Sequence, residues 1–138
     1  MRFAKNWLKY LMEGNDGMKY NKYKNRKTVY RGITFDSEAE ARRYAELLML
    51  SNAGIITNLR RQVKYRLIPT QKLIEPKKDC GGRMKRSEYP VYYVADFVYE
   101  KDGKTIVEDV KGKATDEYVI KRKLMLYVHG IQITEVRM

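Results

Sequence analysis

The sequence contains a single cysteine, Cys80, and a single histidine, His129, among its 138 residues. A disulfide framework needs pairs of cysteines, and structural zinc sites use sets of cysteine and histidine ligands. A Cys–His nucleophile pair or a Ser–His–Asp triad would have to rely on this one histidine. The sequence therefore disfavours all of these sites, and any metal chemistry in the chain must use carboxylates.

Long apolar runs are also missing, because no stretch approaches the roughly 18 residues that a membrane-spanning helix needs. The first residues, MRFAKNW, do not lead into an apolar segment followed by a small-residue cleavage site, which is the pattern of a signal peptide. We therefore expect a cytoplasmic protein.

Acidic residues are few relative to basic ones. The 29 Lys and Arg residues and the 17 Asp and Glu residues give a net charge of +12 and a pI near 9.7. Such a positive field attracts polyanions, so nucleic acid is the first partner to consider. Hydrophobic residues make up 43% of the sequence, which is too much for a disordered basic tail. The length predicts one domain around a single core.

The N-terminal region is predicted to be an appendage of a domain that spans 19–138. Residues 1–18 are expected to form a flexible or short helical leader, because the segment GNDG interrupts any helix there. The following segment, KYNKYKNRK, has no apolar face, and its cations, including Lys24 and Arg26, are suited to contact phosphates. A solvated leader without a partner explains the same composition equally well.

The first helix is predicted over residues 38–52. Ser37 is a favourable N-cap residue, and Glu40 follows it at the spacing of a capping box. Glu40 also falls on the apolar stripe of this helix, where a carboxylate is costly unless something pairs with it. We expect Glu40 either to cap the helix, the commoner arrangement, or to face a polar site inside the fold.

A strand with one wet face is predicted over residues 59–68, with Gln62 on its polar face. Residues 70–89 show neither helical nor strand periodicity and contain Pro76. We expect a long basic loop here, and its charge favours a nucleic-acid contact over plain disorder. The cations expected to contact DNA from this loop are Lys77, Lys78, Lys85 and Arg86.

The most strand-like part of the chain consists of VYYVADFVYE, a DG turn at 102–103, and KTIVEDVKG, which together predict two antiparallel strands. Asp96 lies in the middle of the first strand among apolar residues, where a carboxylate is unfavourable unless it is paired or serves a function. In the second strand, the period of two places Asp109 and Lys111 on one face and Glu108 on the other.

A second helix is predicted over residues 116–128, with Thr115 as its N-cap, and a short closing strand is predicted over 131–136. The helix directly follows the strand that contains Asp109, so its basic residues are further candidates for phosphate contact, although they also fit a solvated face. These residues are Lys121, Arg122 and Lys123. The predicted order of helix, three strands, helix and strand indicates an α/β fold.

This arrangement resembles a known superfamily. The segment VADFV around Asp96 and the segment DVKG at 109–112, with twelve residues between Asp96 and Asp109, resemble the signature of PD-(D/E)XK nucleases. The helix with Glu40 occupies the place of that superfamily's helical acidic residue. The motif FDSxxEAxxY from residue 35, the strand with Gln62, and EDVKG at 108–112 also resemble a family of small phage-encoded endonucleases related to Holliday junction resolvases.

The resemblance covers roughly residues 19–137 and includes two departures. Alanine replaces the superfamily's proline before Asp96, which is a common change. Glu108 and Asp109 compete for the second acidic position, and strand parity favours Asp109.

The resemblance implies a restriction-endonuclease-like core of order αβββαβ, with a central mixed sheet flanked by helices. It also implies a Mg²⁺ site, with Mn²⁺ as a substitute, whose ligands are Asp96 and Asp109, with Glu40 binding directly or through water. Lys111 would orient the attacking water or neutralise charge on the phosphorane, and Gln62 would hold the nucleophile or the phosphate. The implied substrate is branched or junction DNA, and its two-fold symmetry calls for a homodimer. The setting would be a bacterial host cell, with the gene from a phage or prophage.

Two other functions stay open at this point. The chain could be a phage nicking or end-processing nuclease with another DNA substrate, or a non-catalytic nucleic-acid-binding module that retains the fold. Each candidate residue also has an ordinary structural reading, such as an ion pair between Asp109 and Lys111. The complete ordered set at the superfamily's spacing argues against the non-catalytic alternative.

Overall fold

The computed structural model describes residues 26–137, which form two helices and eight strands. The helices are α1 (Glu38–Asn52) and α2 (Asp116–His129). The strands are β1 (Thr28–Tyr30), β2 (Ile33–Phe35), β3 (Thr57–Ile68), β4 (Gln71–Lys78), β5 (Met84–Glu88), β6 (Val91–Lys101), β7 (Lys104–Val110) and β8 (Thr134–Val136). The predicted leader at 1–18 and the candidate DNA contact Lys24 lie outside the described residues.

The central sheet has the strand order β3-β6-β7-β8. The first three strands are antiparallel, and β8 runs parallel to β7, so the predicted α/β fold with a mixed sheet is confirmed. The turn between β6 and β7 is the predicted DG pair. Asp102 and Gly103 have φ values of 51° and 75°, which a tight two-residue hairpin turn requires.

The two helices cover opposite faces of this sheet. Buried residues of α1 pack with Phe97 and Tyr99 in one core cluster, whereas buried residues of α2 pack with Val98 and Val107 in a second. Adjacent residues of β6 therefore face different helices, as the pleat of a strand requires. We call these groups the α1 cluster and the α2 cluster.

Both helices begin at the predicted caps. The Ser37 Oγ accepts a hydrogen bond from the Glu40 backbone N–H at 3.1 Å, and Thr115 Oγ1 accepts one from Tyr118 N at 3.2 Å. The bounds of α1 agree with the prediction, α2 is one residue longer, and the closing strand is shorter than predicted. Within residues 26–137, neither helix has the length and apolar composition that crossing a membrane would require.

Two hairpins outside the central sheet differ from the sequence predictions. The expected loop at 70–89 is wrong, because most of it forms the antiparallel β4–β5 hairpin. Pro76 lies within β4, where only one edge is paired and an irregular register separates Lys72 from Lys77, so strand alternation is obscured. The β1–β2 hairpin was not predicted, because Arg31 occupies a left-handed turn position that usually holds Asn, Asp or Gly.

Arg43 ties α1 to β7, although the helical pattern predicts that it points away from the core. Its guanidinium donates to both carboxylate oxygens of Glu108, at 3.0 Å and 2.6 Å. Glu108 is 1% exposed and also accepts a hydrogen bond from the Tyr99 hydroxyl. This bonding raises the pKa of the Arg43 guanidinium, while burial and the Glu108 carboxylate raise the pKa of Tyr99 to about 12. The buried charge of Glu108 is thereby fully engaged within the fold.

We expect Arg43→Ala to lower the free energy of unfolding by about 3–5 kcal/mol, because it leaves the buried Glu108 charge without its partner. The neighbouring Arg42→Ala is the matched control. Arg42 pairs with Glu38 at the surface, where such a pair contributes less than about 1 kcal/mol. Urea denaturation of both variants measures the difference, and equal losses would contradict a structural role for the Arg43–Glu108 pair.

Candidate active site

Strand β6 is irregular at Asp96. Tyr93 and Ala95 belong to the α2 cluster, but Phe97 belongs to the α1 cluster, so the strict alternation of side chains is broken between them. The pairing of β6 with β7 also stops at Phe97. The Asp96 side chain replaces the missing backbone acceptor, since its Oδ2 accepts a hydrogen bond from Val110 N at 2.9 Å. The two central strands thus separate at the point where Asp96 and Asp109 lie.

The predicted site carboxylates Asp96, Asp109 and Glu40 are close enough for their charges to act on one another where β6 and β7 separate. Burial raises the pKa of Asp96, and the negative charges of Asp109 and Glu40 raise it further. The pKa of Glu40 is raised by burial, then by Asp36 and Asp109. The Glu40 carboxyl thus lies within electrostatic range of the site, while the Ser37 cap is made by the Glu40 backbone N–H.

Lys111 supplies the positive charge of the site. Its Nζ lies 2.9 Å from Asp109 Oδ2 and 4.3 Å from the centroid of the Tyr118 ring. The ring limits the positions available to the ammonium group, and the carboxylate sets its direction. The predicted same-face arrangement of Asp109 and Lys111 is confirmed, and Glu108 faces α1 instead.

Two buried oxygens at this point have no hydrogen-bond partner among the described residues. One is Asp109 Oδ2, whose close contact is the ion pair with Lys111, and the other is the Tyr93 hydroxyl. Burial and the charge of Asp109 raise the pKa of Tyr93, so its hydroxyl keeps its proton and can donate. A buried hydroxyl that can still donate, beside a carboxylate oxygen held only by an ion pair, indicates a place for a ligand, an ion or water.

The donor set fits a hard divalent cation through two carboxylates. Mg²⁺ is commonly held by one or two carboxylates, with water and phosphate oxygens in the remaining positions. Asp96 and Asp109 can supply these two. Across residues 26–137, no group of three or more His, Cys, Asp or Glu side chains lies close enough together to hold a metal ion, so Glu40 is not drawn into one ligand set with them.

Gln62 lies on β3 beside the site strand. The register pairs Arg61 with Phe97 and Val63 with Ala95, which places Gln62 opposite Asp96. Its φ of 51° is unusual in a strand, and its side chain is exposed. A left-handed residue therefore faces the point where β6 loses its alternation.

The predicted DNA contacts lie on separate elements. Lys77, Lys78 and Arg86 are exposed on the β4–β5 hairpin, whereas Lys85 is half-buried and pairs with Glu88 at 2.6 Å. On α2, Lys123 is exposed, Lys121 pairs with Glu117 at 2.9 Å, and Arg122 pairs with Glu135 at 2.6 Å. Arg26 is exposed ahead of β1.

Sequence patterns did not identify the aromatic residues of the site. Tyr93 and Tyr118 are among twelve tyrosines, and nothing in their local sequence separates them from ordinary core residues. The i+2 spacing of Tyr93 from Ala95 on a buried strand gives only their common face. Tyr118 follows Thr115 at the N-terminal turn of α2, so its contact with Lys111 depends on tertiary packing.

Comparison with known proteins gives one family match. The family described as "Protein of unknown function (DUF1064)" matches residues 20–137, which is most of the chain. No curated protein and no solved structure gave a significant match.

Asp96→Asn should stabilise the metal-free protein at alkaline pH. The folded-state pKa of Asp96 lies above its ordinary value of 3.8, so the parent loses stability as pH rises from that value through the folded-state pKa. Asparagine keeps an acceptor for Val110 N and removes the charge. We expect a gain of at least about 1 kcal/mol at high pH that vanishes near about pH 4.

Chemical denaturation in EDTA across this pH range measures the effect. Glu100→Gln is the control, because Glu100 is an exposed carboxylate on the same strand. If the free energies of unfolding of Asp96→Asn and the parent changed with pH in the same way, the unfavourable ionisation of Asp96 in the folded state would be contradicted.

Proposed function

The chain belongs to the DUF1064 family, and we propose that it is a metal-dependent DNA endonuclease that hydrolyses phosphodiester bonds. One observation carries the proposal. Two carboxylates, Asp96 and Asp109, meet in a buried place where β6 and β7 separate, with Lys111 paired to the second. Such repulsion destabilises the folded protein, but it is expected at a site that binds a divalent cation and a phosphate.

The order of core elements supports a restriction-endonuclease-like core. Helix α1, strands β3, β6 and β7, helix α2 and strand β8 follow one another, with the two hairpins as additions. The resemblance to PD-(D/E)XK nucleases puts the acidic residues on the two central strands and the lysine two positions after the second. In this chain those strands are β6 and β7.

Asp96 and Asp109 would hold the cation, which supplies Lewis-acid polarisation of the scissile phosphate when bound. The Val110 N–H fixes Asp96 Oδ2, leaving Oδ1 to face the ligand. Lys111 would orient the attacking water or stabilise the negative charge that develops on the phosphoryl oxygens. Glu40 adds negative charge to the site and would act through water, and Gln62 would hold the water or the phosphate from β3.

The positive charge of the chain would bring DNA to this acidic site. Exposed cations on the β4–β5 hairpin, on α2 and at Arg26 form no part of the carboxylate site and would contact the backbone. Such contacts fix the position of a duplex without reading its sequence. Branched or junction DNA as substrate, a homodimer and a bacterial cytoplasm rest on the sequence resemblance alone.

The proposal is tested by incubating the purified protein with Mg²⁺ and labelled junction, flap, duplex and single-stranded DNA at one stated salt concentration. Cleavage that requires Mg²⁺ or Mn²⁺ and stops in EDTA is expected. The preferred substrate then separates a junction resolvase from a nicking or end-processing nuclease. Binding to these DNAs without any cleavage would leave a nucleic-acid-binding module and overturn the endonuclease assignment.

Asp109→Asn should abolish cleavage, while Glu108→Gln should keep most of it. The two residues are adjacent acids on β7, but only Asp109 faces Asp96 and Lys111. The remaining side-chain oxygen of Glu108→Gln can still accept from Arg43 Nη2 and the Tyr99 hydroxyl, although the bond from Arg43 Nε is lost. Cleavage rates and gel shifts on the same DNA measure both properties, and DNA binding by Asp109→Asn should be equal or tighter because negative charge is removed. If Glu108→Gln had normal stability but did not cleave DNA, the assignment of Asp109 rather than Glu108 to the site would be wrong.

Neutralising Lys78 and Arg86 should weaken binding to every DNA tested. Both are exposed on the β4–β5 hairpin, and neither forms an ion pair with another residue in the described part of the chain. Removing one cation that binds a phosphate lowers the slope of log K against log salt by about 0.9. The matched control is the double variant Lys101→Gln with Lys104→Gln, since these lysines are exposed at the turn between β6 and β7.

Fluorescence anisotropy in EDTA at several salt concentrations gives the affinity and the slope. Turnover of bound substrate should survive in the hairpin double variant. If both double variants have the same slope, the β4–β5 hairpin does not contact DNA.

A further inference from the structure

Arg61 on β3 is held by aromatic rings and has no acidic partner among residues 26–137. Its guanidinium carbon lies 4.4 Å from the centroid of the Phe35 ring and 5.5 Å from that of Tyr44. Among the described residues it forms no ion pair or hydrogen bond, whereas Arg43 and Arg122 each bind a carboxylate. The fold therefore does not pair Arg61 with a carboxylate, as it does Arg43 and Arg122.

The guanidinium of Arg61 is partly removed from water. Its Nε is buried and has no hydrogen-bond partner in the part of the chain that the structure describes. Nε is the only such atom of this side chain, so the two Nη groups reach the surface. Taking a cation out of water without an anion is costly, and the ring faces offset only part of that cost. The rings also restrict the positions that the group can occupy, and its Nη groups remain accessible to an outside ligand.

The location of Arg61 connects it to the carboxylate site. Arg61 is paired across the sheet with Phe97, the residue next to Asp96. The two rings that hold it belong to the segments that flank Glu40, since Phe35 precedes α1 and Tyr44 lies one helical turn after Glu40. Arg61 thus lies beside the acidic site without being part of it.

We propose that Arg61 binds a phosphate of the DNA backbone adjacent to the phosphate that is cleaved. The proposal rests on the proposed function for the identity of the polyanion. A planar guanidinium matches two oxygens of one phosphate, which an ammonium group cannot do. Arg61 is a positioning residue in this arrangement, because it sets the register of the strand and does not touch the reacting atoms.

Arg61→Met and Arg60→Met form a matched pair of variants. They remove the same charge from neighbouring residues, but Arg60 is exposed and lies over no aromatic ring of residues 26–137. Arg61→Met should weaken binding of a short labelled DNA duplex in EDTA about 10-fold or more, because a loss of that size is expected for one hydrogen bond to a charged group. Arg60→Met should stay within about 3-fold of the parent, because an isolated exposed charge is screened.

Arg61→Lys gives a second measure that does not depend on the loss of charge. It keeps the charge but loses the planar fork, so its affinity should fall between those of the parent and Arg61→Met. Thermal unfolding should show no loss of stability in Arg61→Met, because methionine fills the space between the rings and removes a desolvated cation. If Arg61→Met does not fold, parental affinity in Arg61→Lys overturns the proposal.

The outcomes separate this proposal from the endonuclease assignment. Binding that depends on Arg61, in a protein that cleaves none of the tested DNAs with Mg²⁺, supports the phosphate site and overturns the endonuclease. Cleavage by the parent together with equal binding by Arg61→Met and Arg60→Met overturns the phosphate site alone. A parent that binds no DNA overturns both.

Discussion

The repulsion between Asp96 and Asp109 is the constraint around which the centre of this domain is arranged. Burial makes the ionisation of Asp96 costly, and the negative charge of Asp109 adds to that cost. A regular β6–β7 ladder would pair these two residues directly. Instead the ladder stops one residue earlier, and the Asp96 side chain takes the Val110 N–H. One hydrogen bond therefore serves both the sheet and the site.

The scaffold treats the two adjacent acids of β7 in opposite ways. Glu108 faces α1, where Arg43 and Tyr99 satisfy both its oxygens, so its charge is committed to the fold. Asp109 faces the other side, where Lys111 lies against one oxygen without a well-formed hydrogen bond. The pleat of one strand thus separates a structural carboxylate from one that can bind a ligand, and the first anchors the strand that positions the second.

Local patterns predicted the parts of the fold that local chemistry decides. The bounds of α1, both helix caps, the DG turn and the common face of Asp109 and Lys111 follow from capping, turn preference and strand parity. The β4–β5 hairpin was missed because charged residues and a proline on an unpaired edge carry no hydrophobic alternation. The inward direction of Arg43 was also missed, because its partner lies 65 residues away and a helical pattern cannot register a distant carboxylate.

The same limit explains why the site was only partly predictable. Acidic residues at a recognisable spacing can be read from the sequence, but the residues that make them usable depend on packing. Tyr118 orients Lys111, Tyr93 leaves a buried hydroxyl beside Asp109, and Gln62 meets Asp96 through strand register. In a chain with twelve tyrosines and a net charge of +12, such residues are distinguished by their partners. An arginine with a buried carboxylate, such as Arg43, belongs to the fold, while Arg61, held by rings alone, is left with its charge available for a phosphate.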